Sequence, residues 1–167
     1  MICIGIDPGA RYTGVSVRNI AEDTILWSST YVRPDDTEMV EWARTVAVMI
    51  QEDVIDQFPG AHVGIENITA PRGYSNGKLS PINPKHLIFA GIVLGAIAMK
   101  IPNAFAVPPG KNGSSRAEYP TVLNGRRPKD LPGSAKGAGT RNHEKSAYDV
   151  AGEIPFLLGQ KNAKNDL

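Results

Sequence analysis

Three carboxylates stand in this chain where a charge needs a reason. Asp7 closes the apolar run ICIGID, just before a Pro8-Gly9 turn. Glu66 closes a second short run, AHVGIE, and Asp149 sits in SAYDVAG near the C-terminus. A carboxylate at the tip of a buried strand is costly to desolvate unless a cation or hydrogen bonds compensate it. Oxygen ligands without a cluster of His or Cys favour Mg2+, with Mn2+ as a substitute, over zinc. Two such ions side by side suit in-line displacement at a phosphodiester. One activates the attacking water and the other stabilises the leaving oxygen.

The elements that must position these acids follow from residue patterning. Met1–Ile6, Thr13–Arg18 and Thr24–Val32 read as three strands of an antiparallel meander. Met39, Trp42, Ala43, Val46, Ile50 and Val54 recur at helical spacing, which predicts an amphipathic helix over Thr37–Phe58, stopped by Pro59-Gly60. Ala61–Glu66 is a fourth strand, and a polar Gly/Pro-rich loop follows from Asn67 to Pro81. Asn83-Pro84 starts a second helix that runs to Lys100 and is apolar nearly all round. Ala104–Val107 is a fifth strand and Arg116–Leu123 a short helix. Gly125–Thr140 is a basic loop, and Asn142 caps a last helix that Pro155 kinks or ends.

The order β-β-β-α-β-α-β-α implies an α/β fold: a mixed five-stranded sheet, three antiparallel strands then two parallel, flanked by helices. If the first and fourth strands are parallel neighbours, Asp7 and Glu66 emerge at the same sheet edge. A single domain over 1–159 and a polar tail over 160–167 are expected.

Composition bounds the partners. The net charge of +1 hides an asymmetry: residues 35–58 hold seven acids and one base, and residues 67–148 hold twelve bases and three acids. The second half therefore offers a basic surface of the kind that meets nucleic acid. The single cysteine, Cys3, makes no internal disulfide, which fits a reducing compartment. The longest apolar stretch, Leu87–Met99, is too short to span a bilayer. With no signal peptide in view, a cytoplasmic protein of a bacterium or a phage-infected host, with no membrane partner, is expected.

Taken together, IGIDPGARYTG at Ile4–Gly14, GIEN at Gly64–Asn67 and SAYDVAG at Ser146–Gly152 resemble the motifs of RuvC-type Holliday junction resolvases, of the RNase H-like superfamily. Their order, spacing and spread over most of the chain fit that family. The resemblance implies an RNase H-like fold and a homodimeric endonuclease that resolves four-way junctions with two Mg2+ ions per site. It implies hydrolysis that leaves 5′-phosphate and 3′-hydroxyl ends. It assigns Asp7, Glu66 and Asp149 as catalytic, metal-holding acids. The family often carries another Asp or a His one turn before the last acid, and here that position is Ser146.

What replaces that group is open. Ser146 shares the helix face of Asp149. Glu144 lies about 140° and His143 about 120° round a regular helix from it. All three remain possible additional site residues. Blander readings stand beside each assignment: Asp7 as a turn former, Glu66 as a strand-end charge, Asp149 and Glu144 as ordinary helix acids. DNA-binding candidates are Arg72, Tyr74, Lys78 and Lys85 around the first loop, and Lys111, Arg116, Arg126, Arg127, Lys129, Lys136 and Arg141 around the second. Tyr74 is the aromatic expected to stack on a base. Rival functions are a broader branched-DNA nuclease acting on flaps or forks, a non-catalytic junction-binding protein, and an actin-like ATPase fragment sharing the strand–turn motif.

Overall fold

A computed structural model of the chain describes residues 1–68, 74–75, 78–79, 84–109 and 139–165. Its strands are β1 (Ile2–Asp7), β2 (Tyr12–Asn19), β3 (Thr24–Val32), β4 (His62–Glu66), β5 (Tyr74–Ser75), β6 (Lys78–Leu79) and β7 (Phe105–Val107). Its helices are α1 (Met39–Ile50), α2 (Pro84–Lys100) and α3 (Gly139–Asn165). Five strands form one sheet in the order β3-β2-β1-β4-β7. β1 pairs antiparallel with β2, and β2 with β3, whereas β1–β4 and β4–β7 are parallel. This is the mixed α/β sheet expected from the order of elements.

Alternation along the strands sorts the two faces. Ile4 and Ile6 of β1, Val15 and Val17 of β2, and Val63 and Ile65 of β4 join one core with Trp42, Val46 and Ile50 of α1 and Val93 and Ile97 of α2. The residues between them face the other way, towards α3. There Cys3 packs with Ala151 and Ile154, flanked by Phe105 and Leu158.

α3 lies flush on the sheet because the strands beneath it lack side chains at the crossings. A Cβ built on Gly5 would stand 1.9 Å from the carbonyl oxygen of Ala147 and 2.5 Å from the nitrogen of Ala151. One on Gly14 would meet the carbonyl of His143 at 2.2 Å. Arg18 of β2 adds a lateral anchor: its guanidinium lies 3.7 Å from the ring centre of Tyr148 and pairs with Asp23.

Several boundaries differ from the sequence expectation. α1 begins at Met39, since the Thr37 N–H closes a turn onto the Pro34 carbonyl instead. It passes after Ile50 into a π-helical stretch, Gln51–Ile55, which keeps Val54 buried. α3 starts at Gly139, three residues before the expected Asn142 cap, and continues through Pro155 to Asn165. Proline removes one N–H and crowds the carbonyl one turn back. The packing of Ala151, Ile154 and Leu158 on the Cys3 side of the sheet outweighs that cost. The segment expected as a polar tail is thus largely helical in its backbone. Within the expected loop after Glu66, β5 and β6 pair as a small antiparallel hairpin. The short helix expected at Arg116–Leu123 lies outside the described residues. No helix among the described residues is long and apolar enough to cross a membrane.

Candidate active site

The last β1–β4 pair is Ile6 with Ile65. Each strand has one residue more, Asp7 and Glu66. Because Ile6 and Ile65 face α1 and α2, the period of two turns both carboxylates towards α3. The parallel pairing therefore delivers two acids side by side at one sheet edge.

α3 meets them with two side chains three residues apart. Nδ1 of His143 lies 2.8 Å from Oδ2 of Asp7. An ionised carboxylate only accepts, so the ring nitrogen donates. Ser146 Oγ donates to Oε2 of Glu66 at 2.8 Å. The side chain of Asp7 is 14% exposed and that of His143 29%, so this contact is shielded from bulk water. Tyr12 lies beside it, its ring centre 5.9 Å from that of His143.

The electrostatics are those of a site with surplus negative charge. Burial, and then the charge of Asp7, push the Glu66 carboxyl up to about 7, although the Ser146 hydrogen bond pulls it the other way. Burial works against the charged form of His143. The hydrogen bond to Asp7 and the charges of Asp7 and Glu66 outweigh it, so His143 holds its proton more tightly than usual.

Asp149 is one turn beyond Ser146 on α3, and its Oδ1 is buried without a hydrogen-bond partner among the described residues. A buried carboxylate oxygen without a partner is a costly arrangement that a hard cation would relieve. Among the described residues, no group of three His, Cys, Asp or Glu side chains is placed to hold a metal ion. The oxygen chemistry of Asp7, Glu66 and Asp149 suits a hard divalent ion, and among the described residues the three acids are not brought together into one metal-holding group.

Glu144 goes elsewhere. It is 2% exposed and accepts from Ser28 Oγ at 3.2 Å and from Thr30 Oγ1 at 3.1 Å, both on β3. The early start of α3 also removes it from the helix's first turn. Of the three possible additional residues, His143 and Ser146 thus touch the acids and Glu144 ties α3 to the outer meander. His143 lies about 120° round a regular helix from Asp149. α3 crosses two strand tips, so His143 and Ser146 each meet a different carboxylate.

Lys85 lies in the first turn of α2, 5.3 Å from the ring centre of Phe89. Tyr74 and Lys78 fall in the β5–β6 hairpin and Arg141 in α3 by backbone alone. Arg72, Lys111, Arg116, Arg126, Arg127, Lys129 and Lys136 lie outside the described residues. Sequence reasoning passed over Arg33 and Tyr12, which flank the site. Neither belongs to a charge run, and only the turn after β1 and the end of β3 bring them into one cavity wall with His143.

No protein-family model and no curated protein matches the sequence. Solved structures do match. RuvC of Thermus thermophilus in complex with a Holliday junction substrate aligns with a TM-score of 0.61 at 16% identity, over 90% of this chain and 90% of that one. A second structure of Thermus thermophilus RuvC aligns with a TM-score of 0.56 at 17% identity, over 90% and 91%. The chain has a RuvC-like fold. In this RuvC-like fold Asp7 and Glu66 occupy the tips of the two central strands, and α3 closes over them.

Proposed function

We propose that the chain is a divalent-metal-dependent endonuclease that resolves branched DNA, chiefly four-way junctions, as a homodimer. The observation that carries this reading is the pair Asp7–Glu66, set at adjacent parallel strand tips beneath α3 in a fold shared with a RuvC bound to a Holliday junction. Asp7, Glu66 and Asp149 would hold the metal, Mg2+ by the oxygen character of the set. Bound there, two such ions supply charge neutralisation at the scissile phosphate and an activated water. His143 fixes the orientation of Asp7 through Nδ1, and Ser146 fixes that of Glu66. Water attack in line with the leaving oxygen leaves 5′-phosphate and 3′-hydroxyl ends, with no covalent intermediate on the protein.

A second reading has an observation of its own. Both acids already carry a hydrogen-bond partner on α3, and Ser146 stands where the resemblance expects an acid or a histidine. A junction-binding protein that does not cut would tolerate both features. Incubating a mobile four-way junction with the protein and Mg2+, with a flap and a linear duplex as controls, separates the readings. The proposed enzyme nicks the junction in preference to both controls. Binding without cleavage in Mg2+ or Mn2+ supports the non-catalytic reading, and equal cutting of junction and flap supports a broader branched-DNA nuclease.

A further inference from the structure

Glu144 is a buried carboxyl that the proposed chemistry does not use. It is 2% exposed, and both of its oxygens accept a hydrogen bond, Oε2 from Ser28 at 3.2 Å and Oε1 from Thr30 at 3.1 Å. Burying a carboxyl costs far more than burying an apolar side chain of similar size. Packing alone therefore does not account for a glutamate here. What a carboxyl adds is direction, because its two oxygens have to meet two placed donors.

The sheet register shows where that direction leads. Asp7 of β1 is paired with Gly14 of β2, and Gly14 with Thr30 of β3. The three stand in one row across the strands. α3 crosses this row over Gly14, where a Cβ would lie 2.2 Å from the His143 carbonyl carbon and 2.7 Å from the Glu144 nitrogen. From that crossing, two consecutive side chains leave in opposite directions. His143 reaches Asp7 at one end of the row, with Nδ1 2.8 Å from Oδ2. Glu144 reaches Thr30 at the other end, and Ser28 on the same face of β3. A shift of the helix along the row breaks one contact or the other. Further on, α3 is held separately, by Arg18 against the ring of Tyr148 and by the packing of Ala151 and Ile154 with Cys3. Loss of the Glu144 contacts would therefore loosen the part of α3 over the acids and leave the rest seated.

We propose that Glu144 is a positioning residue for DNA cleavage: anchored on Ser28 and Thr30, it holds His143 against Asp7 and so fixes the aim of that carboxylate. The proposal rests on the endonuclease reading above and goes beyond it by assigning a role to a group that touches none of the acids. A misplacement of about 1 Å can cost on the order of a hundredfold in rate, so a contact remote from the substrate still bears on cutting.

Two readouts test it, one of them without substrate. Which ring nitrogen of a histidine carries the proton is set by the hydrogen bonds the ring makes. Nitrogen-15 shifts of the His143 ring, in metal-free protein at a pH where the ring is neutral, therefore report its contact with Asp7. Wild type should hold the proton on Nδ1. Glu144→Leu keeps bulk and removes both acceptors, and should let the proton spread to Nε2. The same variant should slow single-turnover cleavage of a four-way junction in Mg2+ about 10- to 100-fold, with junction binding in EDTA unchanged. Glu144→Gln should restore both readouts, because its amide oxygen accepts from one hydroxyl and its NH2 donates to the other. Thr30→Val keeps the shape and removes one donor from the far end of the row. It should move both readouts in the direction of Glu144→Leu, and it serves where Glu144→Leu does not fold. A wild type with no preference for Nδ1 overturns the proposal. So does a folded Glu144→Leu or Thr30→Val protein that keeps the wild-type proton position or the wild-type cleavage rate. A wild type that cuts no branched DNA, while its His143 proton still follows Glu144, overturns the endonuclease reading alone and leaves the hold on His143 standing.

Discussion

At the scale of single residues, the site is a balance of charge between two strand tips and one helix. Glu66 shows it most plainly. Burial and Asp7 raise its carboxyl to about 7 from an ordinary 4.5. The folded protein therefore binds a proton there that the unfolded chain has released. Between those two values stability falls as pH rises, and it levels off above the folded value. His143, also raised from its ordinary 6.5, adds a slope of the same sign at higher pH. Without divalent metal, the thermal midpoint of the wild type should drop as pH climbs from 4.5 to about 7, and Glu66→Gln should flatten that window. Mg2+ should restore the wild-type midpoint more at pH 8 than at pH 5, because the cation takes the place of the proton. A Glu66→Gln protein with the same pH slope as wild type would remove the charge conflict from the account. Asp7 and Glu66 were legible in the sequence as strand-end acids, since each closes an apolar run. Their partners were not. Whether His143, Ser146 or Glu144 reached the acids depended on where α3 begins and which strands it crosses, and the residues near Gly139 do not announce a helix start.

At the scale of elements, α3 is the part that makes a site out of a sheet edge, and small residues let it do so. Gly5 and Gly14 leave room for the backbone of α3 at Ala147 and His143, and Glu144 locks the same helix to Ser28 and Thr30 of β3. Gly5→Ala forces a methyl into backbone atoms that no rotamer change can move. We expect a loss of about 3 kcal/mol or more, the upper end of overpacking costs, read as a fall in the urea midpoint with an unchanged m-value. Wild-type stability in that variant would mean that α3 does not lie as close to β1 as described. Periodicity made the strands and α1 visible, because alternation and the 3.6-residue repeat are local signals. The π-helical stretch after Ile50 and the passage of α3 through Pro155 were not visible. In both places tertiary packing, of Val54 in one and of Ile154 and Leu158 in the other, overrides what the local residues prefer.

At the scale of the whole molecule, the mixed sheet divides the labour. α1 and α2 cover one face, and α3 covers the other, where the acids point. α2 also turns part of itself outward: Ile88 is 62% and Met99 87% exposed, and a Cβ on Gly91 or Gly95 would meet nothing within 4 Å. That open, small-residue apolar strip is the surface the proposed homodimer would use, and two copies about a two-fold suit a substrate with two equivalent strands. Of the seven acids over residues 35–58, Glu41 lies on α1 and Glu52 and Asp53 on the π-helical stretch after it, while Asp35 pairs with Arg11 in the turn after β1. The central claim is that Asp7 is needed for cutting branched DNA and not for holding it. The most direct measurement compares wild type and Asp7→Asn on one mobile four-way junction, scoring binding in EDTA and strand cleavage in Mg2+. The account predicts paired nicks in opposing strands by the wild type, and binding without detectable cleavage by Asp7→Asn. Cleavage by Asp7→Asn at the wild-type rate would contradict it.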